Sequence, residues 1–322
     1  MTRLAFLVAG DDRGLASALA RLLAAEAPGL GLEAQVHAGS VPPPRPDQVD
    51  VVVTAGRRDP LPAALTADPA RLARTLLLSA DRSDSPVFES LLAAASRVGR
   101  SMSIDFPTAT ELTARWAPTQ FLPLGYSPAL DVWDRDRERD VDVVLVGPRS
   151  ARRDGLAGRF AELERRHRVV GWADPALPLD DEGPALADPR RSLLARARVA
   201  VLVHAAGEPG QGVDWCGALD AILAGAAVVV ERSSDLAPLA AGTHVLSAST
   251  TALPATVEAL LDDPARIDGL RTAAYDLLRG APPLAAALGQ LVGQAWELLA
   301  GTWNAEAFTP EARTAAASSS AR

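Results

Sequence analysis

The chain has 322 residues, 48% of them apolar and 22% charged, with 40 acidic against 32 basic side chains for a net charge of −8. That length suits one large or two medium domains with a sizeable core, and the acidic balance argues against a nucleic-acid or anionic-membrane partner. A single cysteine, Cys216, excludes an internal disulfide, and no apolar run reaches the roughly 18 residues of a membrane span.

Taken in order, Leu4 to Val8 read as a strand buried on both faces. The stretch is too short for a signal peptide and lacks a small-residue cleavage site, so a cytoplasmic protein is expected. Residues 9–14 turn into a helix at 15–26. Gly10 and Gly14 give G-x-x-x-G, which is not the dinucleotide fingerprint. Further strands are expected at 33–37, 49–54 and 75–79, with the proline-rich stretch 41–48 as a loop. A helix near 86–97 and strands at 101–104 and 119–124 complete a first domain, 1–126. Residues 127–139, charged and irregular, read as a linker.

A second series then begins. Strands at 140–146 and 168–171 flank a helix at 154–166, and a loop rich in Pro and Asp spans 173–190 before a short helix at 191–197. Val199 to Val203 is an apolar strand, followed by a loop with three glycines and a proline. The next helix, 214–224, places Cys216, Leu219, Ile222 and Leu223 at helical spacing; the cysteine is therefore expected as a packed thiol. Gly225 stops that helix, and 226–231 is another strand. Amphipathic helices at 253–261 and 264–278 close a second domain, 140–285. A last helix with one apolar stripe covers 286–303, and the low-complexity tail 304–322 is expected to be disordered. Strands alternating with helices argue for parallel sheets, an α/β fold.

Two segments resemble a known family. Asp220-Ala221-Ile222-Leu223-Ala224-Gly225-Ala226-Ala227-Val228-Val229 is similar to the Glu-Ala-x-x-x-Gly-x-x-Val-Val segment in the donor-binding half of group-1 (GT4-like) glycosyltransferases, especially their CgeB-like branch. Phe121-Leu122-Pro123-Leu124-Gly125-Tyr126 resembles the Pro-x-Gly segment that closes the first domain in that family. The resemblance covers about 140–300 well and the first 125 residues in outline. It implies the GT-B fold: two Rossmann-type doubly wound domains facing a cleft, an acceptor domain and then a donor domain, with the final helix crossing back to the first. It also implies sugar transfer from a nucleoside-diphosphate sugar to a small-molecule, glycan or protein acceptor. The reaction would retain configuration and use no metal, and no cofactor beyond the nucleotide-sugar co-substrate. The sequence departs from the family at one place. The family carries two glutamates eight positions apart; here the second is Asp220, and the earlier position is Gly212, with Glu208 and Asp214 nearby.

Such a donor needs a separate partner for each of its parts. Arg149, Arg152 and Arg153 follow a strand's carboxyl end, where their planar forks suit phosphate oxygens although they oppose a helix dipole. Gly207, Gly210 and Gly212 let backbone amides approach an anion, and Ser233 and Ser234 begin an N-cap run that can also hold phosphate. By the resemblance, Asp220 would take the ribose hydroxyls and Trp172 the base. His204 and Glu208 are the polar side chains of the glycine loop. In the first domain Asp11, Arg57, Asp81 and Asp105 each follow a strand, and Asp81 and Asp11 are the favoured proton acceptors for the incoming hydroxyl. Each choice has a plainer alternative: a hydrogen-bonded core histidine, a solvated helical aspartate, a packing tryptophan. The missing first glutamate supports a second reading, a catalytically weak GT-B-like partner or scaffold. A third is a nucleotide-sugar epimerase or hydrolase on the same scaffold, using His204 and Glu208.

Overall fold

The computed structural model describes residues 3–9, 15–83, 85–128, 130–146, 151–171, 189–204, 213–233 and 236–300. These form two compact units, one reaching Leu124 and taking in the last helix, the other spanning Gly125–Pro283.

Unit 1 contains β1 (Arg3–Val8), α1 (Leu15–Glu26), β2 (Glu33–Ala38), β3 (Gln48–Thr54), α2 (Ala63–Thr66), α3 (Pro69–Leu72), β4 (Thr75–Ser79), α4 (Phe88–Ala95), β5 (Arg100–Ser103), α5 (Phe106–Ala114) and β6 (Thr119–Phe121). Its six strands are all parallel in the order β2-β1-β3-β4-β5-β6. The pleat sends Leu7, Val52 and Leu77 into a cluster with Leu65, Leu72, Phe88, Leu91 and Leu112 from α2–α5. Phe6, Val51, Val53, Leu76 and Leu78 alternate onto the other face and are equally buried. Burial on both faces explains why these strands read as unbroken apolar runs. Asp50 interrupts β3, and its two oxygens accept from Gln48 Nε2 at 2.9 Å and Arg71 Nε at 2.6 Å.

Unit 2 repeats the plan. It contains β7 (Val141–Val146), α6 (Ala151–Ala157), α7 (Ala161–Glu164), β8 (Val169–Val170), α8 (Pro189–Ala195), β9 (Ala197–Leu202), α9 (Trp215–Leu223), β10 (Ala227–Glu231), β11 (Val245–Ala248), α10 (Leu253–Leu261) and α11 (Pro264–Gly280). Its parallel sheet runs β8-β7-β9-β10-β11, the same order as the first five strands of unit 1. One face carries Val143, Leu145, Val199, Val201 and Val229 against Leu156, Phe160 and Leu163 and against Leu253, Val257 and Leu270. On the other, α8 contacts β7 and β9, and α9 contacts β9 and β10. The last helix, α12 (Leu284–Leu299), belongs to unit 1, where it contacts α1, β3 and β4.

Residues 125–140 run along unit 2. Trp133 stacks on Tyr275 with ring centroids 4.3 Å apart, and Asp131 accepts from the hydroxyls of Tyr126 at 2.7 Å and Tyr275 at 2.8 Å. The guanidinium of Arg139 donates to the carbonyls of Ala195, Ala197 and Ala224 at 2.8, 2.9 and 3.2 Å. Burial lowers that guanidinium's pKa to about 10.

Two expectations are corrected locally. The helix expected over 154–166 is broken into α6, a 3-10 turn at Gly158–Phe160 and α7. Two glycines, Gly155 and Gly158, weaken its middle. The strand expected over 119–124 ends at Phe121, two residues before Pro123, which has no amide to donate. α2, α3, α5 and β11 were not anticipated.

Candidate functional site

The strand order reverses between β1 and β3 in unit 1 and between β7 and β9 in unit 2. In such sheets the carboxyl ends beside the reversal are left uncovered by connections, and ligands bind there. At that edge of unit 2 the structure assembles one polar cluster. His204 lies two residues past the end of β9, Glu231 is the last residue of β10, Thr250 follows β11, and Arg152 comes from the first turn of α6.

Arg152 donates through Nη1 to the carbonyl of His204 at 2.9 Å and through Nη2 to Glu231 Oε1. Thr250 Oγ1 also donates to Glu231 Oε1, and the His204 amide donates to Oε2 at 3.1 Å. The His204 ring places Nε2 3.2 Å from the Arg232 carbonyl and 3.3 Å from Ser233 Oγ. Burial pushes the Glu231 carboxyl up, but the hydrogen bonds from Arg152, Thr250 and the His204 amide outweigh it, so it titrates below its ordinary value. Arg152 is the more open partner, with 23% of its side chain exposed against 8% for Glu231.

The structure thus brings together Arg152, His204 and Ser233, three residues the sequence singles out. Glu231 and Thr250 were missed. The signal for Glu231 was present: a carboxylate closing a run of buried valines must find partners at the sheet edge. Thr250, in a turn, gave no signal.

Asp220 sits in the middle of α9, its carboxylate 3.7 Å from Arg190 Nη2 and 3.9 Å from Arg191 Nη2 on the adjacent α8. Asp214 accepts from the Gly217 amide at 3.0 Å and caps α9. Cys216, on α9, is a free thiol whose pKa burial raises well above its ordinary value.

In unit 1 Asp81 follows β4 and is buried. Its carboxylate accepts from the Gly56 amide in the loop after β3, and Ser79 Oγ lies 3.4 Å away. Gly56 has φ +67°, so the turn that aims this amide at Asp81 favours glycine. Burial raises the Asp81 pKa against the opposing pull of these hydrogen bonds. Asp105, just past β5, caps α5: one oxygen accepts from both the Thr108 amide and the Thr108 hydroxyl, at 2.9 and 2.7 Å. Arg57 is exposed.

Asp11, Arg149, Trp172, Gly207, Glu208, Gly210, Gly212, Ser234 and the side chain of Arg153 lie outside the described residues. Among the described residues no helix is long and apolar enough to cross a membrane, and no group of three or more His, Cys, Asp or Glu is placed to hold a metal ion.

Two parallel α/β units of one strand order define a twin Rossmann-like protein. No protein-family profile matches the chain, and no curated protein is similar to it in sequence. Solved structures do resemble it. HepE of Anabaena in complex with UDP-glucose superposes with a TM-score of 0.62 at 12% identity, over 91% of this chain and 99% of that one. WaaG, a glycosyltransferase involved in lipopolysaccharide biosynthesis, gives 0.53 at 14% identity over 89% and 98%. An α-glucosyltransferase in complex with UDP and a 13-mer DNA gives 0.52 at 10% identity over 92% and 100%. At these identities the likeness is one of fold, and the fold is GT-B.

Proposed function

We propose that the chain is a nucleotide-sugar-dependent glycosyltransferase of the group-1 family, in its CgeB-like branch, with unit 2 as the donor half. The observation that carries this reading is the convergence of Arg152, His204, Ser233, Glu231 and Thr250 at the carboxyl ends of β9, β10 and β11, beside the strand-order reversal. The GT-B architecture, shared with proteins crystallised with UDP or UDP-glucose, supports it.

In this reading Arg152, with Arg149 and Arg153, meets the donor diphosphate, assisted by the amides of Gly207, Gly210 and Gly212 and by Ser233 and Ser234. Positive groups there stabilise the charge that develops on the leaving diphosphate. Asp220 takes the ribose and Trp172 the base. The transfer is retaining and metal-free, and the diphosphate helps to deprotonate the acceptor. Asp81 and Asp11 are the acceptor-side carboxylates. For Asp81, the raised pKa brings its proton affinity closer to that of a working base.

Thermal unfolding against a panel of nucleoside diphosphates tests the donor half. A ligand at 100 times its Kd adds about 2.7 kcal/mol of stability. Stabilisation by one base and not the others supports the reading, and a flat response across the panel overturns it. The scaffold reading gains one specific support, that the Arg152 charge is already matched by Glu231. Donor binding without any turnover, including slow hydrolysis of the donor, would favour it.

A further inference from the structure

We propose that Glu231 is an internal counter-ion that tempers an anion site at Arg152, keeping a bound diphosphate weak enough to leave. Only the identity of the anion as a diphosphate rests on the donor reading above.

The geometry carries the argument. A carboxylate at the end of three buried valines loses hydration, and it is tolerated only if several donors replace the water. Glu231 receives three: the Arg152 guanidinium, the Thr250 hydroxyl and the His204 amide. Arg152 in turn donates to the His204 carbonyl. The pair therefore grips both backbone polar groups of His204 and closes a rigid ring across the ends of β9 and β10.

The ring is lopsided. The Arg152 side chain is the more exposed member of the pair and Glu231 the more buried. A ligand reaching this edge meets the cation first. A guanidinium carries five N–H donors; those facing His204, Glu231 and Thr250 (3.5 Å from Nη2) are engaged, and the others have no partner among the described residues. The arriving oxygen is attracted by the guanidinium and repelled by the carboxylate paired with it. A pair built only for stability has no need of this order, since apolar residues of similar volume serve a core as well.

Titration calorimetry with inorganic pyrophosphate on wild type, Glu231→Gln and Arg152→Gln tests it. Glutamine keeps the shape and removes the repelling charge; its one oxygen can still accept from Arg152 and Thr250 on the Oε1 side, while its NH2 gives up the bond from the His204 amide. Pyrophosphate should bind Glu231→Gln roughly 5- to 30-fold tighter than wild type, with a steeper loss on adding salt. Arg152→Gln should not bind more tightly than wild type. Equal or weaker pyrophosphate binding by a folded Glu231→Gln overturns the proposal. If that variant does not fold, Glu231→Asp takes its place: one methylene shorter, it retracts the charge, and affinity must rise by a smaller factor or the proposal fails. A wild type that binds no nucleoside diphosphate, beside a Glu231→Gln that gains pyrophosphate, removes the donor reading and leaves this one standing.

Discussion

The carboxylate of Asp220 lies 3.7 and 3.9 Å from two guanidiniums, whereas the donor reading gives it to a ribose. The two roles separate in Asp220→Asn. Losing a charged acceptor for the ribose hydroxyls costs roughly 1–3 kcal/mol, a factor of about 5 to 150 in nucleoside-diphosphate affinity. A matched dideoxyribonucleotide, which has no hydroxyls to offer, should bind the two proteins alike. If Asp220 only balances Arg190 and Arg191, the variant changes thermal stability and shifts both ligands equally, and the ribose role is gone. Site residues of this kind are the part the sequence resolves least. Arg152, His204 and Ser233 could be chosen because each sits past a predicted strand. That Arg152 crosses to Glu231, 79 positions away, is a tertiary fact that local pattern does not encode.

At the level of elements the punctuation residues were the legible ones. Gly225 ends α9 with φ +79°, its amide bonded to the Ile222 carbonyl and that of Ala226 to Ala221, a Schellman ending. A Cβ there would press on Arg139 Nη2 and lie 3.0 Å from the Trp133 ring, so packing favours glycine as well. Neither partner is near in sequence, and the anchoring of 125–140 by Trp133 and Arg139 was accordingly invisible. α5 was missed although Asp105 and Pro107 form a start signal, an N-cap followed by an early proline. Three threonines within it, Thr108, Thr110 and Thr113, weaken its helical pattern. The cap assignment makes a prediction. Asp105→Ala should cost about 1 kcal/mol in urea unfolding, with little change in slope, and should leave catalytic turnover intact. Unchanged stability with lost turnover would instead return Asp105 to acceptor chemistry.

For the whole molecule, the α/β class followed from buried apolar runs alternating with helical periodicity, because a strand covered on both faces must be apolar throughout. What periodicity does not carry is which unit a helix joins. α12 follows unit 2 in the chain but buries Leu284, Leu288, Leu291 and Leu298 in unit 1, and Arg100 meets Glu297 at 2.9 Å. Leu291 is fully buried. Leu291→Ala should therefore cost about 2–5 kcal/mol, transfer free energy plus the cavity left behind. Because α12 contacts α1, β3 and β4, the loss should appear there. Amide exchange followed by peptide mass should show protection falling at least 30-fold or so in β1, β3, β4 and α1, for a loss of about 2 kcal/mol. β7, β9 and β10 should exchange as in wild type, since their core is built from residues of unit 2 alone. Faster exchange confined to α12 would mean that the helix frays without being part of the unit 1 core. An equal rise across both sheets would mean that the chain unfolds as one cooperative body, and the division into two independently cored units would fall.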